Sequence, residues 1–552
     1  MIKVNNFQQT RMFDRIEEIL HDKNKARLNA DWPGIFRNVF LQMMPVDDLG
    51  ESFSLDFGRP TKEHYSICGL LLLKDYFGWT TKETVDEYIY NLKIHYALMV
   101  DSDNIQLSTR TLERYMKIFR QKELAQNLMD KVTGKILTEL NISIDKQRLD
   151  SSHVFSNMAE WSRSMLLFKI TQRFLVQVKR HESKLYYELD EELRALYESQ
   201  GNWIYKAEPK TRNVRYGKHV CSNKEQMAWD MSRLIERFEN HEKLSNMTTF
   251  KNLKRVFEEQ CEIIDSKVKI RKHPGGKAML NPSDPDASID NKGFGYQVQV
   301  TQTYNPENPV QIITAALPQT ASESDQNAID PMLKKMEANN AKPKELLADA
   351  GYGSDENVVN AAANGVELLA PTKGKEYNKL GLEECEFDSK NRIIKCPCGK
   401  LPLHKNFDGT KGRAVFSLKT CGNCPDVKRC IANKQGNNYV IKYDTKRLRL
   451  RERRLYEKSD EFRERYRFRG GIEALFGNMK QNTPLRRLSV RGKSAVYSTI
   501  YSIMTMHNIM QVVKAIKNNP KKAINDLHMV INSVYAYIFY SQRRILANTS
   551  YK

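Results

Sequence analysis

Apolar residues follow two kinds of spacing along the chain, and the change falls near residue 140. Before it, apolar positions recur every three to four residues, as in SICGLLLLKDYF, and Gly78-Trp79-Thr80-Thr81 separates two such runs. A second pair of helices is predicted around STRTLERYMKIFRQKELAQNLMDKVTGKIL. Residues 1–140 are therefore predicted to form an all-α N-terminal domain. Because the chain is strongly basic, with a formal net charge of +21, helix, turn and helix here suggest a domain that recognises DNA ends. The alternative is a helical bundle that only packs against the core or a partner subunit.

Beyond residue 140 the pattern alternates between strands and helices. GYQVQVTQTYNPENPVQIITAALPQ predicts two strands joined as a hairpin, after an earlier strand that ends near Asp150. A helix containing Pro331, a strand ending at Asp349, a helix stopped by Gly365, the strand VELLAPT and a helix around Glu473 follow. This order is typical of an RNase H-like α/β core, a mixed sheet with flanking helices.

Two segments interrupt this order. Residues 160–280 are highly charged at helical spacing, which predicts a helical insert that clamps DNA or contacts a second subunit. Residues 375–445 form a Cys-rich insert. The predicted organisation is an N-terminal domain at 1–140, a core at 141–510 that contains both inserts, and a helical tail at 511–552. The apolar helix within PLRRLSVRGKSAVYSTIYSIMTMHNIMQVVKAI is expected to pack against the sheet.

Four polar residues recur at intervals of three, four and seven in YRFRGGIEALFGNMK: Tyr466, Arg469, Glu473 and Lys480. Helical periodicity places them on or near one face, so a phenol, two cations and one carboxylate share a stripe. Such a stripe suits a phosphodiester substrate. The alternative is a solvated helix surface with a chance glutamate.

Two aspartates occupy the ends of predicted strands. Asp150 follows Leu149, and Asp349 follows an apolar run and precedes a glycine turn. An aspartate in this position is often only a helix cap, but in open α/β sheets ligands bind at the carboxyl ends of strands. With Glu473, the two aspartates would supply hard oxygen ligands for two Mg2+ or Mn2+ ions. Such ions activate the attacking oxygen and stabilise the leaving oxygen of a phosphodiester.

Taken together, these residues resemble a known family, the DDE transposases of bacterial insertion sequences. The resemblance is to the group whose third acid lies in a Tyr-x2-Arg-x3-Glu-x6-Lys signature, and the four-residue stripe matches all its positions. Asp150 in LDSSHVFSN and Asp349 in DAGYG match the first two acids. SDPDAS, with Asp284 and Asp286, also matches, although ordinary turn chemistry favours a loop that shapes the hairpin entry.

The resemblance implies DNA strand transfer with divalent metal as the cofactor. Water first cuts a phosphodiester at the end of the element, and the freed 3′-hydroxyl then attacks target DNA. Asp150, Asp349 and Glu473 would be the catalytic residues and the ligands of two Mg2+ or Mn2+ ions. Tyr466, Arg469 and Lys480 would contact phosphates near the cleaved end. The expected partners are double-stranded DNA, as terminal inverted repeats and as target, and a second copy of the chain that pairs the two ends.

Composition agrees with a DNA partner. The chain has 552 residues, with 88 Lys and Arg against 67 Asp and Glu, a formal net charge of +21. Such a charge attracts a polyanion. Basic residues are dense on both sides of Glu473, where Arg486 and Arg487 are expected to bind DNA. A metal-dependent nuclease or integrase and an inactive DNA-binding descendant are the alternatives.

The hydropathy of the chain gives no sign of a membrane span. No apolar run approaches the roughly 20 residues that a membrane span requires. The N-terminus lacks the apolar core of a secretory signal. A cytoplasmic, nucleoid-associated protein is therefore expected.

Five of the nine cysteines lie in the second insert. Cys396 and Cys398 precede Cys421, Cys424 and Cys430, and glycine and proline flank them. This spacing predicts a tetrahedral structural Zn2+ held by the last three and by Cys396 or Cys398. Free structural thiols or a redox pair are the alternatives. The remaining cysteines are expected to be packing residues: Cys68, Cys221, Cys261 and Cys385.

Overall fold

The computed structural model of the protein describes residues 2–7, 19–100, 105–199, 223–265, 267–374 and 379–518. Part of the helical insert with Cys221, and most of the predicted C-terminal tail, lie outside these residues. Within the described ranges, no helix is both long and apolar enough to cross a membrane.

The N-terminal part of the chain is helical. Gly78 takes a left-handed φ of +75°, and Thr80 and Glu83 form a capping box, so the predicted break between two helices is confirmed. The helices are α1 Asp22–Asn29, α2 Trp32–Ile35, α3 Val46–Gly50, α4 His64–Phe77, α5 Thr81–Tyr90, α6 Leu92–Leu98, α7 Thr109–Gln121 and α8 Leu124–Glu139.

The described parts of the segment at 160–280 also contain helices, which enclose a separate hydrophobic cluster around Phe168, Phe174 and Phe238. The two ends of this segment are adjacent: the side chain of Asn281 donates a hydrogen bond of 2.9 Å to the carbonyl of Ala159. The helices are α9 Arg163–His181, α10 Ser183–Tyr187, α11 Glu191–Glu198, α12 Asn223–Phe238 and α13 Thr248–Gln260. A hairpin of Cys261–Ile264 and Lys267–Ile270 follows them.

A mixed sheet lies at the centre of the molecule. Its strands are β1 Lys146–Val154, β2 Ser288–Asp290, β3 Gly293–Thr303, β4 Ile313–Thr320, β5 Glu345–Leu347 and β6 Glu367–Leu369. The order across the sheet is β4-β3-β1-β5-β6, with β2 paired to the start of β3. β1 is antiparallel to β3 and parallel to β5, as an RNase H-like core requires. Helices α14 Ile329–Ala338 and α15 Asp355–Ala363 flank β5.

Asp150 lies in the middle of β1, so the prediction that this strand ends near Asp150 was wrong. The strand continues to Val154 because its second half pairs with β3. The other neighbour, β5, pairs only with β1 residues up to Arg148. The edge of β1 is therefore free of β5 at the level of Asp150, and an opening forms there.

The Cys-rich segment folds as small sheets around a core that includes Phe416 and Ile441. One sheet pairs Glu386–Phe387 with Ile393–Lys395. The other contains His404–Phe407, Lys411–Ser417, Asn438–Asp444 and Asn433–Gln435 in that spatial order, with the helix α16 Leu418–Gly422 beside it.

The last described segment is helical but interrupted. Its helices are α17 Thr445–Tyr456, α18 Asp460–Tyr466, α19 Gly471–Asn482 and α20 Lys493–Asn518. A 3-10 turn at Arg467–Gly470 separates α18 from α19, so the predicted single helical stripe is divided among three elements. The Gly470-Gly471 pair accounts for this, because glycine disfavours a continuous α-helix. The predicted start of the tail, residue 511, lies within α20.

One hydrophobic core joins the N-terminal helices to the sheet. It runs from Leu70 in α4 and Leu128 in α8 through Val298 in β3 to Ile500 in α20. Helix α20 packs against α4, α8 and β4, as predicted for this apolar helix. The N-terminal helices therefore pack against the core, and a domain boundary near residue 140 stays a prediction.

Candidate functional site

Three elements bring the three predicted acids to the opening beside β1. Asp150 comes from β1, Asp349 lies two residues after β5, and Glu473 lies in the first turn of α19. The loop after β5 is tight: the Gly351 N–H donates a hydrogen bond of 2.7 Å to Asp349 Oδ1. A Cβ on Gly353 would lie 2.1 Å from the Pro371 carbonyl oxygen, so this position requires glycine.

The guanidinium of Arg469 contacts all three acids. Its Nη1 donates a hydrogen bond to Glu473 Oε1. Its Nη2 lies 2.9 Å from Asp150 Oδ2 and 3.8 Å from Asp349 Oδ2. Carboxylates that lie far apart along the chain therefore share one cationic partner.

The site is deep at one end and open at the other. The side chain of Asp150 is 13% exposed, that of Asp349 39% and that of Glu473 64%. Burial raises the pKa of Asp150, and the charges of Asp349 and Asp325 add to this, while Arg469 and the Ser151 N–H oppose it. Because exposure rises from Asp150 to Glu473, a substrate that approaches from solvent would meet Glu473 first.

Sequence reasoning missed a fourth acid, Asp325. Its Oδ1 accepts a hydrogen bond of 2.8 Å from the side chain of Gln299 in β3. A Cβ on Gly351 would lie 2.8 Å from Asp349 Oδ1 and 3.7 Å from Asp325 Oδ2, so the two carboxylates flank the same glycine. In the sequence, Asp325 follows Ser324 at the start of a helical pattern, and nothing there distinguishes it from an ordinary helix start.

Tyr466 contacts the main chain next to Asp349. Its hydroxyl donates a hydrogen bond of 3.1 Å to the carbonyl of Ala348, the residue before Asp349. Burial raises its pKa to about 12, so the phenol stays a donor. In this structure Tyr466 holds the end of β5, and its predicted phosphate contact stays a prediction.

A cationic rim, formed by Lys292, Lys480, Arg486 and Arg487, lies beside the acids. Burial lowers the pKa of Lys480, and the neighbouring charges of Lys292 and Arg486 lower it further. The exposed Arg487 guanidinium lies 5.5 Å from the centre of the Phe155 ring. The Phe155 N–H donates 3.1 Å to the Arg486 carbonyl, which fixes this segment to the end of β1.

Three further polar residues, His153, Asn157 and Asp284, have structural contacts. His153 is buried and lies 3.3 Å from Asp290 and 3.2 Å from the Phe294 carbonyl. Asn157 donates 3.1 Å to the Ser489 carbonyl. The buried Asp284 accepts a hydrogen bond of 2.6 Å from the hydroxyl of Tyr296, which agrees with a loop that shapes the hairpin, and Asp286 is exposed.

The five cysteines of the second insert lie near one another. The Sγ atoms of Cys398 and Cys424 are 3.4 Å apart, and the Lys400 N–H donates 3.3 Å to Cys396 Sγ. Burial raises the pKa of Cys421 to about 11, and Cys396, Cys430 and Cys424 add to this. The thiols suit zinc in their chemistry. Cys68, Cys261 and Cys385 are buried, which agrees with packing roles.

Neither group of residues is arranged as a ready metal site. Across the part of the chain that the structure describes, no three or more His, Cys, Asp or Glu side chains are placed to hold a metal ion. Among the acids, the Arg469 guanidinium lies where the carboxylates converge. Carboxylate oxygens are nevertheless the donors that Mg2+ and Mn2+ prefer, so the acids fit these ions in chemistry. The zinc site stays a prediction.

Comparison with known proteins gives one match. Curated proteins and solved structures each gave none. A family model described as "Transposase DDE domain" matches residues 395–513. This range holds Glu473, the rest of its signature stripe and all five predicted zinc ligands, but neither Asp150 nor Asp349. The match supports a DDE transposase, and with it an activity on DNA.

Proposed function

We propose that this protein is a transposase that cuts and joins DNA at the ends of an insertion sequence. The observation that carries the proposal is the meeting of three carboxylates, from β1, the loop after β5 and α19, around one guanidinium. The family match supports it from a separate direction, because it covers the Glu473 segment.

Asp150, Asp349 and Glu473 are proposed to hold two Mg2+ or Mn2+ ions. When bound, these ions would activate the attacking oxygen and stabilise the leaving oxygen of the phosphodiester. Asp150 is the buried anchor of the set, while the exposed Glu473 lies where substrate enters. Tyr466 holds the end of β5 and so keeps Asp349 in position.

The reaction has two steps, a hydrolysis and a transesterification. In the first, a water oxygen bonds to phosphorus at the element end, the bond from phosphorus to the 3′-oxygen breaks, and a proton from the water ends on that oxygen as a 3′-hydroxyl, which leaves a 5′-phosphate on the flanking DNA. In the second, that hydroxyl attacks a phosphorus of target DNA and displaces the target's own 3′-oxygen. The cationic rim binds the phosphates on either side of the reacting bond, with Arg486 and Arg487 exposed toward DNA.

Two copies of the chain are proposed to act together, because both ends of an element must be joined to one target. The net charge of +21 favours association with both duplexes and makes it sensitive to salt. The N-terminal helices are proposed to help recognise the terminal inverted repeats, which would flank the coding region.

The test is metal-dependent cutting of DNA that carries those flanking repeats. We expect nicking in Mn2+ or Mg2+ that is lost in Asp349→Asn and in Glu473→Gln, while fluorescence anisotropy shows that both variants still bind the DNA. Glu464→Gln is the matched control, since Glu464 is an exposed acid on α18 that pairs with Arg467 outside the site. Its nicking should equal that of wild type.

The same assay separates the alternatives. Joining of the cut end to a second duplex supports a transposase, whereas cutting without joining supports a nuclease. DNA binding without any metal-dependent cutting by the wild-type protein would contradict the proposal and favour an inactive descendant.

A further inference from the structure

The guanidinium of Arg469 lies among the acids, but not all of its N–H donors have hydrogen-bond partners. Its side chain is only 18% exposed, yet its Nε is buried without a hydrogen-bond partner. The other two nitrogens account for its contacts with Glu473, Asp150 and Asp349. A purely structural ion pair would be expected to use the buried Nε as well, because an unmet buried donor is costly.

The charges around Arg469 are unbalanced. Asp325 adds a fourth carboxylate beside the three that touch the guanidinium. One cation cannot neutralise four carboxylates, and Lys480 is a more distant neighbour of Asp150. The local excess of negative charge favours additional cations.

The oxygens that face Arg469 are the ones a metal ion would need. Asp150 Oδ2 and Glu473 Oε1 both accept hydrogen bonds from the guanidinium. A divalent ion bound to these oxygens would lie against the guanidinium, and the two cations would repel each other. Arg469 and the metal ions are therefore mutually exclusive at these two atoms.

The backbone around Arg469 allows the side chain to leave without moving the helix. Arg469 lies in the 3-10 turn, and the carbonyl of the preceding Phe468 accepts a hydrogen bond of 2.9 Å from Arg148 in β1. The main chain is thus anchored to the sheet. The proposed departure of the guanidinium therefore needs rotation about the side-chain bonds and no shift of the main chain.

We propose that Arg469 is the internal counter-cation of the metal-free protein and that divalent ions displace it from Asp150 and Glu473. The inference rests on the proposed function and adds an order of events to it. The released guanidinium then binds a DNA phosphate, so metal loading and phosphate binding are coupled through one side chain. Arg469 therefore has two successive roles: it first neutralises the carboxylates of the metal-free protein, and it then binds DNA.

The test is Mn2+ binding to Arg469→Gln, measured by calorimetry together with the melting temperature in EDTA. With the competing cation removed, Mn2+ should bind about tenfold tighter than to wild type. The metal-free variant should melt at a lower temperature, and Mn2+ should raise that temperature by more than it does for wild type. Arg469→Lys keeps a cation with fewer donors and should fall between the two.

Arg449→Gln is the matched control. It removes a guanidinium that pairs with Asp355 on α15, outside the carboxylate site, and should leave the Mn2+ affinity unchanged. If Arg469→Gln and Arg469→Lys both bind Mn2+ no more tightly than wild type, the inference is overturned. A wild-type protein that still cuts DNA in that case leaves the proposed function intact. A wild-type protein that neither binds Mn2+ nor cuts overturns both.

Discussion

A substitution of Gly471 tests how α19, which carries Glu473, is attached to the sheet. Arg148 lies two residues before Asp150 in β1. Its Nε and Nη2 donate to Gln302 Oε1 at 3.0 and 2.7 Å, and its Nη1 donates to the Phe468 carbonyl at 2.9 Å. A Cβ on Gly471 would lie 1.8 Å from Nη1, so Gly471→Ala must displace the guanidinium.

The expected loss can be estimated from these contacts. Each hydrogen bond that involves a charged group contributes roughly 1.5–3 kcal/mol. Burial lowers the pKa of Arg148 to about 10, because its guanidinium is partly removed from water. Against this, alanine is better than glycine in a helix by about 1 kcal/mol. Loss of one to two hydrogen bonds therefore predicts a net decrease of roughly 0.5–5 kcal/mol in the free energy of unfolding.

The assay is urea unfolding of Gly471→Ala, Arg148→Ala and the double variant. Since both changes remove the same contact, the double variant should lose less than the sum of the two single losses. Gly477→Ala is the control on the same helix, because nothing lies within 4 Å of a Cβ there, and it should keep or slightly gain stability. Additive losses, or a Gly471→Ala protein as stable as wild type with full DNA nicking, would refute the reasoning.

Three further predictions concern the acid, the cysteines and the rim. Burial raises the pKa of Asp150, so the folded protein holds a proton on this carboxyl more tightly than the unfolded chain does. The resulting contribution to stability is complete below pH 3.8, the ordinary pKa, and is lost as the pH rises through the raised pKa. Asp150→Asn should therefore raise the melting temperature in EDTA at neutral pH, with no gain below that value; calorimetry that shows a lower neutral midpoint would contradict this. Protein purified under reducing conditions should contain about one zinc per chain by elemental analysis, and Cys424→Ser should remove it; zinc-free wild type would favour free thiols. Arg486→Ala and Arg487→Ala should each reduce the slope of log binding constant against log salt by about 1 in fluorescence anisotropy; an unchanged slope would exclude a phosphate contact.

Local signals predicted the parts of the fold that depend on neighbouring residues. The break between two helices at Gly78, the hairpin of β3 and β4, the helix with Pro331 and the loop at Asp349 all follow from short motifs. The strand around Asp150 was predicted too short because its second half is fixed by pairing with β3, more than a hundred residues away. Hydrophobic spacing indicates that a face is buried, but not what covers it.

The candidate site shows the same difference between features that depend on neighbouring residues and features that depend on distant ones. The sequence pattern supplied the acids and the basic residues near them. It could not indicate that the Arg469 guanidinium contacts all three acids rather than solvent, because that depends on how the 3-10 turn lies against β1. Asp325 was missed for a related reason, since its position is fixed by Gln299 on a neighbouring strand.

The helical segment between β1 and β2 leaves and returns to the core at one point, where Asn281 meets Ala159, and it has its own interior. We therefore expect that this segment can be lengthened, exchanged or lost with little effect on the spacing of the carboxylates. Related proteins are expected to differ here in size while their chemistry stays the same. Protein engineers could use the same junction to graft a foreign domain.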